Sequence, residues 1–387
     1  MLVRRLFSAA ILLTLILCGS TQVYGQLGTA GVNGTVTDVT GAVIGGALIS
    51  IKNKDTGQTR EVTSNEAGLF TIQNLPPGLY EVTVEAPDFT TASSNIAVRV
   101  GEIANIRGVL KPKGSDEVVE VKAGGVDLTT SQVASFISSD IIVNLPLNGR
   151  NFLDLAFLLP GNALAPNFDP IKNNTVDVSS VGQSGRGGNV AVDGADNNND
   201  GVGGVLQNFP QDAVREFQII TNLSPADIGR TGSSAVNIIT KSGTNEFHGS
   251  GGFFFRNDDL SALPATLDAG TVRGLGEPPF SREQYTASIG GPIKRDRAWF
   301  FTAFEYRNQD AIIITGNRDI NAQRIVTTFS PAPLNDLLFT ARADWQVKAS
   351  DRMTFRYALQ DQDAVESAFL QRPIATPEQR ERAFNNY

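Results

Sequence analysis

Between residues 31 and 111 the apolar positions come in short bursts cut by turn signals. "GVNGTVTD" leads through "VTGAVIGG" to "ALISIKN", "KDTGQ" separates that from "TREVTS", and "NEAG" and "LPPG" flank "LFTIQN" before "LYEVTVEA". In the last, a period of two puts Leu79, Glu81, Thr83 and Glu85 on one face and Tyr80, Val82 and Val84 on the other. Short strands spaced by roughly 8 to 12 residues predict a β-sandwich. Lys111 to Ser115, polar and Pro/Gly-bearing, reads as a linker. The run "DEVVEV", Asp116, Glu117, Val118, Val119, Glu120 and Val121, is either one more sheet strand or a strand offered to a partner by β-augmentation.

The rhythm changes over 122–244, which reads as mixed α/β. "SSDIIVNLP" predicts a short helix stopped by Pro146. "NFLDLAFLLPG" spaces Phe152, Leu155, Ala156 and Leu159 as a helix would, up to Pro160-Gly161. "NVAVDG" and "SSAVNIITKSG" read as strands, and "FPQDAVREFQII" as a helix start running into a strand.

From 245 onward come runs about as long as a tilted transmembrane strand, roughly 9 to 11 residues. They are "EFHGSGGFFFRND", "EQYTASIGGPI", "RAWFFTAFEYRNQ", "LNDLLFTARADWQV" and "SDRMTFRYALQDQD". Leu337, Phe339, Ala341, Ala343, Trp345 and Val347 share one face; Leu338, Thr340, Arg342, Asp344 and Gln346 share the other. After "KASD", Met353, Phe355, Tyr357 and Leu359 oppose Thr354, Arg356, Ala358 and Gln360. Apolar-out, polar-in alternation with aromatics near the ends is the pattern of an outer-membrane barrel. A soluble antiparallel sheet with one wet face alternates in the same way.

Composition narrows the choice. The 387 residues include 41% hydrophobic ones and 38 glycines, which favours β structure rich in turns. The net charge is -8 and no basic block occurs, so no nucleic-acid partner is expected. Residues 1–25 read as a signal peptide: Arg4 and Arg5, then the apolar "LFSAAILLTLIL", with cleavage expected after Gly25. Cys18 raises a lipoprotein signal as a rival, but Leu17 stands where a small residue is wanted. A chain cleaved there has no cysteine, hence no disulfide or thiolate metal site. It has one histidine, His248, too few for a histidine metal centre and more simply a polar strand residue. "GQSGR" at 182–186 misses the last glycine of a nucleophile elbow, and "SGRGGNV" misses the dinucleotide fingerprint. No catalytic constellation, cofactor motif or metal-ligand set emerges, so no enzyme is expected.

"DGADNNNDGVGG" tests that last point. Asp196, Asn198, Asp200 and Gly201 carry the spacing of a calcium loop, but its twelfth position is Gln207 where a bidentate Glu is needed. A strand precedes the segment, not a helix. A turn, capped by Asn and Asp side chains, is the simpler reading.

Several stretches resemble known families. The segment 31–111, with "TDVTGAVIGGA", "NEAGLF" and "LPPGLYEVTVEAPDF", resembles the carboxypeptidase regulatory-like domain, a transthyretin-like sandwich without catalytic residues of its own. "LPLNGRNFLDLAFLLPG", "VAVDGADNN", "FPQDAVREFQIITN" and "GRTGSSAVNIITKSGTNEFHGS" resemble, in order, the plug of TonB-dependent outer-membrane receptors of the Oar-like group. "FRND", "GGPI" and "WFFTAFEYRNQ" resemble that group's opening barrel strands.

The resemblance implies a signal peptide at 1–25, a sandwich at 29–111, a plug at 115–244 and the first part of a transmembrane β-barrel at 245–387. The fold class is then mainly β. The implied activity is energised uptake of an unidentified extracellular substrate. The implied partners are a TonB-type protein of the inner membrane, meeting a TonB-box-like strand at Asp116 to Val121, and the outer-membrane lipid. Such barrels have about 22 strands, and 245–387 can supply about five to seven at transmembrane length. A fragment of a larger transporter is therefore expected. The alternative is a secreted or surface protein using its sandwich for carbohydrate binding or adhesion.

Overall fold

In the computed structural model the described residues are 30–113, 121–123, 132–145, 147–165, 176–199, 204–224, 228–229, 231–261, 278–319, 324–348 and 351–364. The expected signal peptide, Asp116 to Glu120, Pro146 and Asp200 to Gly203 lie outside them.

The first unit is a sandwich of β1 (Ala30–Asp38), β2 (Leu48–Asn53), β3 (Thr59–Thr63), β4 (Leu69–Leu75), β5 (Gly78–Glu85), β6 (Ala92–Val98), β7 (Ile103–Leu110) and the short β8 (Val121–Ala123). One sheet runs β4-β1-β7-β8 and the other β3-β2-β5-β6. The alternation in β5 is realised: Tyr80, Val82 and Val84 are buried, while Leu79, Glu81 and Glu85 are exposed. They pack with Val32, Val36, Ile49, Ile51, Phe70, Ile96 and Leu110 in one apolar cluster. The turn signals missed one feature of the topology: β1 and β7 pair in parallel, from Gly31 opposite Ile103 to Asp38 opposite Leu110. Pairing two strands so far apart in sequence depends on long-range packing, not on any local turn.

The second unit holds β9 (Val133–Ser138), α1 (Ser139–Asn144), β10 (Asn162–Ala165), β11 (Asp177–Ser180), β12 (Asn189–Val192), β13 (Ala195–Asp196), β14 (Val214–Asn222) and β15 (Ala235–Thr240). Its main sheet runs β13-β12-β15-β14-β9. The helix expected over "NFLDLAFLLPG" is a 3-10 helix, Phe152–Leu158, capped by Asn151 accepting from the Leu153 amide at 2.9 Å. The tighter winding buries Phe152, Leu153, Leu155 and Ala156 together and leaves Leu158 outside. Helix is otherwise confined to α1 and two short 3-10 turns among the described residues, so this region is more strand than the sequence pattern suggests. Phe217, Ile219, Val236 and Ile238 join Phe152 and Phe209 in its core, where the last two rings meet edge-on at 6.1 Å.

The third unit is a wall, β16 (His248–Asn257), β17 (Ser281–Lys294), β18 (Ala298–Asp310), β21 (Leu334–Gln346) and β22 (Arg352–Ala364), antiparallel and in that order. Between β18 and β21 the chain makes a separate hairpin, β19 (Ile312–Asp319) with β20 (Arg324–Pro331), which the sequence pattern did not single out. Four wall strands reach 13 or 14 residues, longer than the minimum for crossing hydrocarbon, so they extend past it.

Burial separates the two readings of the alternation. Gln284, Thr286, Glu305, Arg307, Asp336, Thr340 and Asp344 are buried against the second unit. Tyr285, Ile289, Phe304, Trp345, Met353, Phe355, Tyr357 and Leu359 are exposed on the opposite face. A soluble sheet buries its apolar face; here the polar face is inside and the apolar one outside, as a lipid-facing wall requires.

Candidate functional site

The functional geometry lies where the wall grips the second unit, the segment expected to be a plug, and it starts from two short turns. The first is Asn148-Gly149-Arg150, left-handed at Gly149 and Arg150. The turn points its polar atoms at the wall. Arg256 Nη1 and Arg282 Nη2 donate to Asn148 Oδ1 at 2.8 and 2.6 Å. Arg307 Nη2 donates to the Gly149 carbonyl at 2.5 Å. Arg150 pairs with Asp212 of the plug at 2.7 Å and lies 3.6 Å from Glu305 of β18. Its guanidinium also sits 4.4 Å over the Phe254 ring. The Glu305 side chain is 1% exposed and is further held by Gln284 Nε2 at 3.3 Å. Removing a charge from water is costly unless it is paired and hydrogen-bonded; these groups pair across the plug–wall boundary, but Arg150 Nε, Glu305 Oε2 and Arg307 Nε are buried without a hydrogen bond.

The second turn is Asp193-Gly194, joining β12 to β13. Both residues have positive φ, 50° and 80°, and they connect Val192 opposite Ala195. That is the two-residue primed turn for which Asp-Gly is a preferred pair, since glycine takes positive φ without strain. The Asp193 carboxylate accepts from the Thr240 amide at 2.8 Å and the Thr240 hydroxyl at 2.7 Å. It also meets Arg342 of β21 at 3.0 Å and Arg356 of β22 at 3.4 Å. Arg342 in turn donates to Asp344 at 2.9 and 3.1 Å, and Asp344 receives Arg352 at 2.9 Å and the Thr354 hydroxyl at 2.7 Å.

Asp196, Asn197 and Asn198 of "DGADNNNDG" bond the chain's own backbone. Asn198 Oδ1 accepts from the Val190 amide at 2.9 Å, and Asp196 accepts from the Asn198 amide at 3.0 Å. Asn197 exchanges hydrogen bonds with the Gln207 backbone at 2.9 and 3.2 Å. The Asp196 and Asn198 oxygens therefore hold a turn, and Asp193 serves arginines; Asp200 lies outside the described residues.

The junction from plug to wall, Lys241 to Phe247, crosses β17 and β18 at close range. A Cβ on Gly243 would overlap the Phe300 carbonyl oxygen and stand 2.6 Å from the Gly291 carbonyl oxygen, so only glycine fits. Asn245 Oδ1 accepts from the Asp296 amide and from Trp299 Nε1, both at 2.9 Å.

Two carboxyls in the plug are raised above their ordinary range. Burial pushes Asp154 up to about 6, against the pull of the Arg307 charge. Burial also raises Glu216, although the Val100 amide donates to it.

The sequence-predicted partner strand is met at one end only. Val121 opens β8, opposite Gly108 of the sandwich, and Asp116 to Glu120 lie outside the described residues. His248 is exposed on β16, 3.2 Å from the Thr244 hydroxyl, with no second histidine in the chain. The turn at 148–150, Asp193, Glu305, Arg307 and Arg342 were not picked out as site residues. The available signal was a charge repeated every second position on an inward face, as in Glu305 and Arg307 of "FEYRNQ".

Comparison with known proteins fits this geometry. Residues 31–111 match the carboxypeptidase regulatory-like domain, and residues 239–317 match the outer membrane beta barrel domain. The second match falls on the strands whose outer face is apolar. The chain is similar to the TonB-dependent transporter Oar of Myxococcus xanthus, 28% identical over 258 residues, which is 63% of this chain and 23% of the relative. It thus spans less than a quarter of the length of that relative. Among solved structures, a mutant of the ferric enterobactin receptor from Pseudomonas aeruginosa aligns with TM-score 0.47 and 17% identity, over 64% of this chain and 35% of that one. The siderophore receptor PirA from Acinetobacter baumannii aligns with TM-score 0.43 and 20% identity, over 60% and 32%.

Proposed function

We propose that the chain contributes a leader (1–25), a sandwich (29–111), a plug (115–244) and wall strands (245–387) to a TonB-dependent outer-membrane transporter. The observation that carries this reading is the plug sheet seated on the polar inner face of a wall whose outer face is apolar, joined through Arg150, Glu305, Asp193 and Arg342. The work is binding and movement: a substrate is taken up from outside, and an energised inner-membrane partner draws on the plug. No bond is made or broken.

The partner's handle is the strand Asp116 to Val121. Its acidic start and β-branched end suit pairing with a second strand edge-on. Cysteine placed singly at each of residues 116–121, with cysteine placed in the partner's periplasmic domain, tests it in cells. The expected result is a disulfide adduct that alternates along the strand. A protein present in the outer membrane that gives no adduct at any of these positions would overturn the assignment.

A further inference from the structure

The sandwich is not tethered loosely beside the plug; it is seated on it. Short turns mark one end of the wall: Arg295–Arg297 between β17 and β18, and 347–351 between β21 and β22. The longer connections, 258–280 and the β19–β20 hairpin, are at the other end. Short turns face the periplasm in outer-membrane barrels, and it is at that end that the sandwich docks. Its β2–β3 turn supplies Asp55, which pairs with Arg215 of β14 at 2.9 Å, and Gln58, which donates to Gln346 of β21 at 2.7 Å. The same turn meets Asn245: its amide donates to the Asp55 carbonyl at 3.0 Å and its side chain to the Thr56 carbonyl at 2.9 Å. The β6–β7 turn supplies the Val100 amide, which donates to Glu216 of β14 at 3.2 Å, and Arg99, 5.9 Å from the Phe136 ring of β9. A bulge between Val214 and Glu216 interrupts the alternation of β14, and Arg215 and Glu216 both meet the sandwich there.

We propose that the sandwich is a latch on the plug: docked at the periplasmic end, it holds β14 and β9 in place and must come away before these strands can leave the sheet. This rests on the transporter reading above. Three features fit a latch rather than a permanent joint. Its contacts to the plug are polar and carried by turns. The Asp55 and Arg215 side chains remain partly exposed, at 38% and 24%, so water can replace the pair. The sandwich and plug have separate apolar clusters, so undocking leaves both cores intact. Asn245 reports on the docked state, because one side chain bridges the sandwich turn, the wall turn at Asp296 and Trp299.

Hydrogen exchange read by mass spectrometry on the intact detergent-extracted protein tests this without any substrate or energising partner. The loosened variant combines Asp55→Ala, Gln58→Ala and Arg99→Ala, three side chains that leave the sandwich core untouched. Lys54→Ala is the control, since it lies in the same turn but contacts Asn95 within the sandwich. The complementary variant, Gln58→Cys with Gln346→Cys, is joined by a short bis-maleimide. Exchange in β14 and β9 is expected to quicken by about tenfold in the loosened protein, to slow in the cross-linked one, and to stay unchanged in the control. The amides of β2, β5, β18 and β21 should stay as they were. A change below threefold in β14 and β9, or an equal change throughout the sandwich, overturns the latch. The transporter reading fails separately, through absence of an adduct at 116–121.

Discussion

Replacing Arg342 by Met removes the side chain that ties β21 to the plug while keeping its length. Five hydrogen bonds go: two to Asp344 at 2.9 and 3.1 Å, one to Asp193 at 3.0 Å, and two to Thr240, carbonyl and hydroxyl, at 3.0 Å. Breaking a buried ion pair from one side costs about 3–5 kcal/mol, because the remaining charge stays out of water. The low end applies here. Asp344 keeps Arg352 and Thr354, and Asp193 keeps Arg356 and the Thr240 amide and hydroxyl. A loss of about 3 kcal/mol, with m near 2 kcal/mol per molar urea, lowers the midpoint for plug release by about 1.5 M. Release can be followed by maleimide labelling of Ala303→Cys, a wall position buried against Ala213 of the plug, because the only native cysteine, Cys18, precedes the expected cleavage site. Adding Asp193→Asn should then cost less in the Arg342→Met background than in the native one, since the charge being removed has already lost its nearest partner. A midpoint shift under about 0.5 M, or strict additivity of the two substitutions, would refute the reasoning.

Gly243→Ala forces a methyl into the Phe300 and Gly291 backbone and should shift the junction off β17 and β18; Trp299 fluorescence, which depends on the Asn245 contact, is expected to change, and an unaltered spectrum with unaltered stability would count against the close approach. Burial holds Asp154 near 6, so between the ordinary 3.8 and about 6 the folded plug binds more protons than the unfolded chain. Plug stability therefore falls as pH rises through that window and stays reduced above it; Asp154→Asn should flatten this slope and raise the urea midpoint at pH near 7.5, and an unchanged slope would speak against burial as the cause. A fragment spanning 29–111 has a core of its own and is expected to melt cooperatively with a β-type circular dichroism spectrum; a non-cooperative melt would show that it needs the plug.

Legibility followed the range of the forces involved. The faces of β5, β21 and β22 could be read directly, because strand alternation is a local consequence of pleating and each face meets one environment throughout. The turn Asp193-Gly194 was equally local. Its role was not: nothing adjacent to Asp193 in sequence predicts Arg342 and Arg356, about 150 residues away, as its partners. The faces of β18 were not legible for a related reason. Its inward face carries Trp299, Phe301 and Ala303 before Glu305 and Arg307, so apolar side chains occur on both faces and alternation alone does not identify the inner one. The 3-10 winding at 152–158 likewise depends on the plug core, which accepts Leu153 as well as the residues at helical spacing.

The distribution of polar and apolar contacts says how the three units can move. Within the sandwich and within the plug, cohesion comes from closed apolar clusters, whose loss exposes large areas to water. Between plug and wall it comes mainly from arginines and carboxylates that are buried only while the two surfaces meet. A small apolar contact, Ala213 with Phe301 and Ala303, accompanies them. When such surfaces part, each charge regains water, which offsets much of the lost pairing. Separating two greasy surfaces offers no such return. An interface built in this way seats the plug specifically, through fixed donor and acceptor positions, yet makes displacement less costly than unfolding either core. The sandwich docks by the same kind of polar contact, with its pair to Arg215 more open to solvent still. Drawing on the segment between sandwich and plug should therefore part the sandwich contacts first, the plug–wall contacts next and the plug core last.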